Sequence, residues 1–100
     1  YLRLLKQYFP QAQPSFVSFE GFIDAMVLVE GLKRAGRDLT REKLVAAIES
    51  IRDLDLGLGS RLRLNYGPQD HKGLDAVYDT VVRQGQAVAF TDWKQLQGAY

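Results

Sequence analysis

Pro14-Ser15-Phe16-Val17-Ser18-Phe19-Glu20-Gly21-Phe22-Ile23-Asp24-Ala25-Met26-Val27-Leu28-Val29-Glu30-Gly31-Leu32-Lys33-Arg34-Ala35-Gly36 is the stretch on which the reading of this chain turns. Ser15 follows a loop bounded by Pro10 and Pro14 and carries a hydroxyl suited to capping a helix that starts at Phe16. The pattern is helical to Ala35, and Gly36 is placed to end it in the left-handed conformation open to glycine. Apolar side chains nevertheless cover most of the circumference, interrupted only by Glu20, Asp24, Glu30, Lys33 and Arg34. Such a helix is normally buried between other elements, and a 100-residue chain has few with which to surround it.

The flanking segments read as smaller elements. Leu2, Leu5 and Phe9 fall on one helical face before Pro10, as in the tail of a helix. Downstream, Thr40 is the expected N-cap of a helix, with Leu39 and Leu44 spaced as a hydrophobic staple. Glu42 lies in its first turn, where the dipole favours it, but Lys43 at N3 leaves the capping box incomplete. Leu44, Ala47, Ile48 and Ile51 form an inward face, and the helix is expected to end near Arg52 or Asp53.

Beyond it the period changes to two. Leu62, Leu64 and Tyr66 alternate with Arg61, Arg63 and Asn65, which predicts a half-buried strand. A Gly/Pro-containing loop covers residues 67–73. Strands over 76–83 and 87–91, joined at Gln84-Gly85-Gln86, predict a β-hairpin. The expected class is therefore α/β, with two to three helices followed by a strand and a hairpin.

Composition narrows the function. Lys+Arg of 13 against Asp+Glu of 12 leaves a net charge of +1, and the cations are scattered, so no phosphate-tracking surface and no nucleic-acid partner is expected. Zero cysteines excludes disulfides, a thiolate nucleophile and thiolate metal sites. The most apolar run, residues 22–32, contains Asp24 and Glu30 and has about half the ~20 residues that a bilayer-spanning helix needs. The opening Tyr1-Leu2-Arg3-Leu4-Leu5 lacks an initiator Met and a signal-peptide pattern, and reads as an internal stretch of a longer polypeptide.

Catalytic motifs fare poorly. His71 beside Asp70 is the one histidine available to a triad, and no serine sits in a strand-to-helix elbow. Asp53-Leu54-Asp55-Leu56-Gly57 starts like a calcium loop, but Leu64 occupies the position where a bidentate Glu is needed. Gly57-Leu58-Gly59 follows a helix and precedes a strand, the reverse of a dinucleotide site. Neither an enzyme, a metal site nor a cofactor is expected. Glu20 among Phe16, Phe19 and Phe22 is the more informative group. A carboxylate beside an apolar wall can orient a cationic ligand group, although a first-turn Glu next to core phenylalanines accounts for the same residues.

The succession Pro14-Ser15-Phe16-Val17, Glu20-Gly21-Phe22-Ile23-Asp24-Ala25, Gly31-Leu32-Lys33-Arg34-Ala35-Gly36 and Leu39-Thr40-Arg41-Glu42-Lys43-Leu44 resembles the C-terminal part of the solute-binding proteins of ABC importers. The branched-chain amino acid (Leu/Ile/Val-binding) family is the one meant. Leu64-Asn65-Tyr66-Gly67-Pro68-Gln69-Asp70-His71-Lys72-Gly73 resembles that family's stretch before its last hinge crossing, and residues 81–88 its closing hairpin.

The resemblance implies a fragment of a type I periplasmic binding protein fold, a non-enzymatic receptor whose two lobes close on a small ligand. Residues 1–73 would belong mainly to one lobe, and residues 74–100 would supply the hinge crossing and closing hairpin. An aromatic residue, often Tyr, faces the family's ligand at the position of Phe22, so Phe22 would offer an apolar wall without a hydroxyl, with Glu20 and Phe19 as neighbours. The implied ligand is an amino acid or an aromatic or aliphatic acid, the implied partners are importer membrane subunits, and the implied location is the periplasm. A ligand-sensing domain of a regulator or receptor with the same two-lobed fold is the alternative, and an export signal ahead of Tyr1 would separate the two. If the chain folds alone, the surplus apolar surface of helix 16–35 implies self-association.

Overall fold

The computed structural model describes residues 1–96. Three helices lead: α1 (Leu2–Tyr8), α2 (Phe16–Ala35) and α3 (Arg41–Glu49). They are followed by two antiparallel pairs, β1 (Leu54–Asp55) with β2 (Arg63–Leu64), and β3 (Asp79–Arg83) with β4 (Gln86–Phe90), and by a 3-10 turn at Trp93–Leu96. The chain is α/β.

Local chemistry sets the helix bounds. The Ser15 hydroxyl accepts the Ser18 N–H at 3.1 Å, and the Thr40 hydroxyl accepts the Lys43 N–H at 3.2 Å, each satisfying a backbone donor that a helix start leaves without a partner. Gly36 closes α2 at φ 81° and ψ −167°, which is not the left-handed helical region expected of it but an extended region that glycine alone occupies readily. Helix α3 stops at Glu49, short of Arg52, because Ser50 donates its hydroxyl to the Ala47 carbonyl while its N–H bonds back to Ala46 and Ala47, closing the last turn.

The core lies between α2, α3 and the β1–β2 pair. Ile51, Leu56 and Leu64 are buried, and Ile23, Met26 and Val27 of α2 pack on them together with Ile48, Leu54 and Tyr66. Fully burying a side chain of this size stabilises by about 1.5–3 kcal/mol, which makes Ile51, at 0% exposure, the anchor of the set. The expected surplus of apolar surface on α2 is present. Gly31 is the buried residue of this helix, whereas Val17, Leu28, Val29 and Leu32 are exposed.

The strands are shorter than their alternation suggested. Only Arg63 and Leu64 of residues 61–66 pair, and their partners are Asp55 and Leu54, in the segment whose sequence starts like a calcium loop. Asp53 explains the reversal. At φ 49° it turns the chain out of α3, and its N–H is held by Asn65 Oδ1 at 2.7 Å. Alternation ends at Asn65 and Tyr66 because their N–H groups go elsewhere, to the Gly73 and Ile51 carbonyls at 3.0 and 2.9 Å.

Hairpin β3–β4 forms as expected, but starts at Asp79 rather than Ala76 and resumes at Gln86, so its loop is the two residues Gln84 and Gly85. Both have positive φ, 50° and 77°, as in the type I′ turn whose twist matches the paired strands. Phe90 is buried, with the Trp93 ring edge-on at 5.4 Å. The Cα radius of gyration is 17.5 Å, well above the ~13 Å of a compact chain of this length, and the extents are 58 × 37 × 17 Å.

Candidate functional site

The N-terminal end of α2 gathers the aromatic residues. The Tyr1 ring lies 5.1 Å from Phe19 and 5.7 Å from Phe22, centroid to centroid, in tilted and edge-on arrangements of the kind that aromatic pairs favour. Its hydroxyl is 2.6 Å from Ser18 Oγ and accepts the Ser15 N–H at 3.3 Å. One tyrosine thus ties the start of α1 to the capped end of α2, with its ring on the phenylalanines and its hydroxyl in the capping network.

Between α1 and α2 this leaves a groove of about 510 Å³ lined by Tyr1, Leu4, Leu5, Tyr8, Phe9, Ser18 and Phe22. Its wall is carbon apart from the few hydroxyls, so it suits an aliphatic or aromatic group. A shallower recess beside it is lined by Pro14, Ser15, Phe16 and Phe19.

Of the residues singled out from sequence, Phe22 lies in the groove and Phe19 in the neighbouring recess, both against Tyr1. Glu20 is exposed and lines neither. It is the fifth residue of α2, beyond the first turn, so the dipole argument for a carboxylate there does not apply to it. Tyr1 and the α1 wall went unnoticed as site residues. The signal for them was the apolar face of residues 1–9, legible as helix but not as the opposite side of a groove.

The remaining candidates resolve into structure. Arg63 reaches Asp53 Oδ1 at 3.1 Å and Asp55 Oδ2 at 2.9 Å, and donates to the Asp53 carbonyl at 2.8 Å, so the calcium-like acidic pair serves as a clasp across β1–β2. The hydrogen bond to Asp53 is the main cause of a raised Arg63 pKa; loss of hydration opposes it, and the charges of both carboxylates add to the rise. His71 bonds Glu49 through Nε2 at 2.9 Å, while Asp70 accepts the Lys72 N–H. Among the described residues no group of three or more His, Asp or Glu side chains is placed to hold a metal ion. No helix among them is long and apolar enough to cross a membrane.

The family model described as periplasmic binding protein matches residues 1–87, from the head of α1 through the first residues of β4. This chain belongs to the periplasmic binding protein family. The match is to the branched-chain amino acid-binding type. Searches of curated proteins and of solved structures returned no match. Membership carries a general solute-binding role and a periplasmic location, in a family that is generally non-enzymatic.

Proposed function

We propose that this chain is the C-terminal part of the solute-binding component of an ABC importer, and that it helps to hold an amino acid, or a similar small acid with an aliphatic or aromatic portion, by cleft closure. The observation that carries this reading is the ring cluster at the head of α2, where Phe22 and Tyr1 form one apolar wall of a ligand-sized groove. Phe22 contributes packing to the ligand's apolar portion, Phe19 braces the cluster through Tyr1, and Glu20, exposed beside Phe19 and about 160° around α2 from Phe22, meets an ammonium group presented outside the groove. Residues 1–73 belong mainly to one lobe, and the chain crosses the hinge at residues 73–75 into the closing hairpin. The Asn65 N–H to Gly73 carbonyl bond supports that division by fixing the chain before the crossing.

The test is equilibrium titration of the native polypeptide with aliphatic and aromatic amino acids, alongside Phe22→Ala. Removing a buried aromatic wall costs about 1.5–3 kcal/mol, so the variant should bind about tenfold or more weakly. Equal affinity in the two proteins would overturn the assignment of Phe22. Binding of neither amino acids nor related acids by the native polypeptide would overturn the ligand class.

A further inference from the structure

Helix α2 starts with half of a capping box. Ser15 at the N-cap accepts the N–H of Ser18 at N3, but the return contact, made to the N-cap N–H by a long N3 side chain such as Glu or Gln, is not made by the short serine. Tyr1 makes it instead. Its hydroxyl oxygen accepts the Ser15 N–H at 3.3 Å and lies 2.6 Å from Ser18 Oγ.

One assignment gives all three hydroxyl protons an acceptor. Ser15 Oγ donates to Ser18 Oγ at 3.1 Å, and Ser18 Oγ donates to the Ser15 carbonyl, which can only accept, at 3.3 Å. The Tyr1 proton then goes to Ser18 Oγ, because the other neighbour of the phenol oxygen is itself a donor. Ser18 Oγ donates once and accepts twice, so it has no capacity left for a ligand. The phenol held in this way carries a ring of the groove wall. Tyr1 packs on Phe19 and Phe22 at 5.1 and 5.7 Å, and lines the groove together with Phe22. A tyrosine side chain turns about only two bonds, so fixing its hydroxyl on α2 stops the ring from swinging off Phe22.

We infer that Ser18 is a positioning residue of the ligand groove: by taking the Tyr1 proton it holds the Tyr1 ring against Phe22, and so sets the apolar wall without itself meeting the ligand. This role rests on the reading of the groove as the place where Phe22 meets a ligand. It also makes the start of α2 and the groove wall one hydrogen-bonded unit.

Ser18→Gln separates this role from a structural one. Glutamine at N3 closes an ordinary capping box with Ser15, so the helix keeps its cap while Tyr1 loses its anchor. In the native polypeptide without ligand, Ser18→Gln should leave the helical circular dichroism and the melting temperature unchanged. The Phe22 ring-proton resonances should move, since the Tyr1 ring that shields them is released. Titrated with L-leucine and L-phenylalanine, Ser18→Gln and Ser18→Ala should each bind about two- to tenfold more weakly, the cost of one hydrogen bond. Tyr1→Phe keeps the ring and drops the hydroxyl, so it should match them, and Tyr1→Phe with Ser18→Ala should bind no more weakly than either alone. Native affinity in Ser18→Gln and Tyr1→Phe would overturn the inference, whether or not the resonances move. Phe22→Ala measured alongside tells two failures apart. If it binds weakly while the Ser18 and Tyr1 variants bind as the native protein does, the positioning role alone falls. If it too binds as the native protein does, or the native protein binds neither amino acid, the ligand reading of the groove falls and takes this role with it.

Discussion

Ile48 occupies the space that a side chain on Gly31 would need. A β-carbon built there would lie 2.7 Å from Ile48 Cγ1 and 3.3 Å from Leu44 Cδ1, so α2 and α3 cross with one backbone set directly against the other's side chains. That contact places Ile48 on the buried Ile51, and so fixes the angle at which the head of α2 emerges from the core.

Gly31→Ala accordingly sets two effects against each other. Alanine gains up to about 1 kcal/mol of helix propensity, while overpacking against Ile48 costs typically 1–3 kcal/mol. The expected result is a net loss of about 1 kcal/mol, read as a fall in melting temperature of about 4–8 °C. Gly31→Ala combined with Ile48→Val should recover part of that loss, and a double variant no more stable than the single one would show that the clash is not with Ile48.

The Arg63 clasp should respond to replacement more than to pH. With its folded pKa raised, the arginine's contribution is complete at every pH below its ordinary, strongly basic value, and fades only as pH climbs through the higher folded one. Stability measured from neutral to mildly alkaline pH should therefore show no step attributable to this group. Arg63→Lys should destabilise, because an ammonium cannot span Asp53 and Asp55 with the same fork, and added salt should narrow the difference between the two proteins.

The hairpin loop invites a gain. Gln84 holds φ 50°, a conformation that asparagine adopts more readily, so Gln84→Asn should strengthen the turn, by a few tenths of a kcal/mol to about 1 kcal/mol. Gly85→Val, at φ 77°, should weaken it by more than that. Amide chemical shifts across Val81↔Val88 would report both changes locally, with the substitutions moving them in opposite directions.

If Glu20 meets a ligand's ammonium group, its replacement should be selective. Glu20→Gln should weaken the binding of amino acids to the native polypeptide while leaving the matching carboxylic acids without an amino group unaffected. The folded chain should tolerate the change, since the side chain is exposed. An equal loss for both ligand types would point to a role in shaping the site.

How much of this was legible in the sequence depended on how local its cause was. Helix α2 ran from Phe16 to Ala35 as read, because Ser15 and Gly36 sit beside the residues they limit. The Thr40 cap was equally plain. Residues 61–66 misled, since alternation records which side chains point inward but not where each N–H finds a partner. Asn65 and Tyr66 bond to Gly73 and Ile51, residues chosen by the tertiary path of the chain. The same limit applies to the candidate site. Phe19 and Phe22 were visible from their place on α2, whereas Tyr1 joins them through space and from a different helix.

The β3–β4 hairpin ends in a tight turn and leaves most of its side chains exposed, Phe90 at its end being buried, while Ile51, Leu56 and Leu64 gather buried surface elsewhere. A two-stranded ribbon without a covered face is marginal by itself. Its amide protons can therefore exchange with solvent through openings that leave the helices intact, whereas those near Ile51 must wait for the core to come apart. Two clocks run in one short chain, a fast one at residues 79–90 and a slow one where α3 meets β1 and β2.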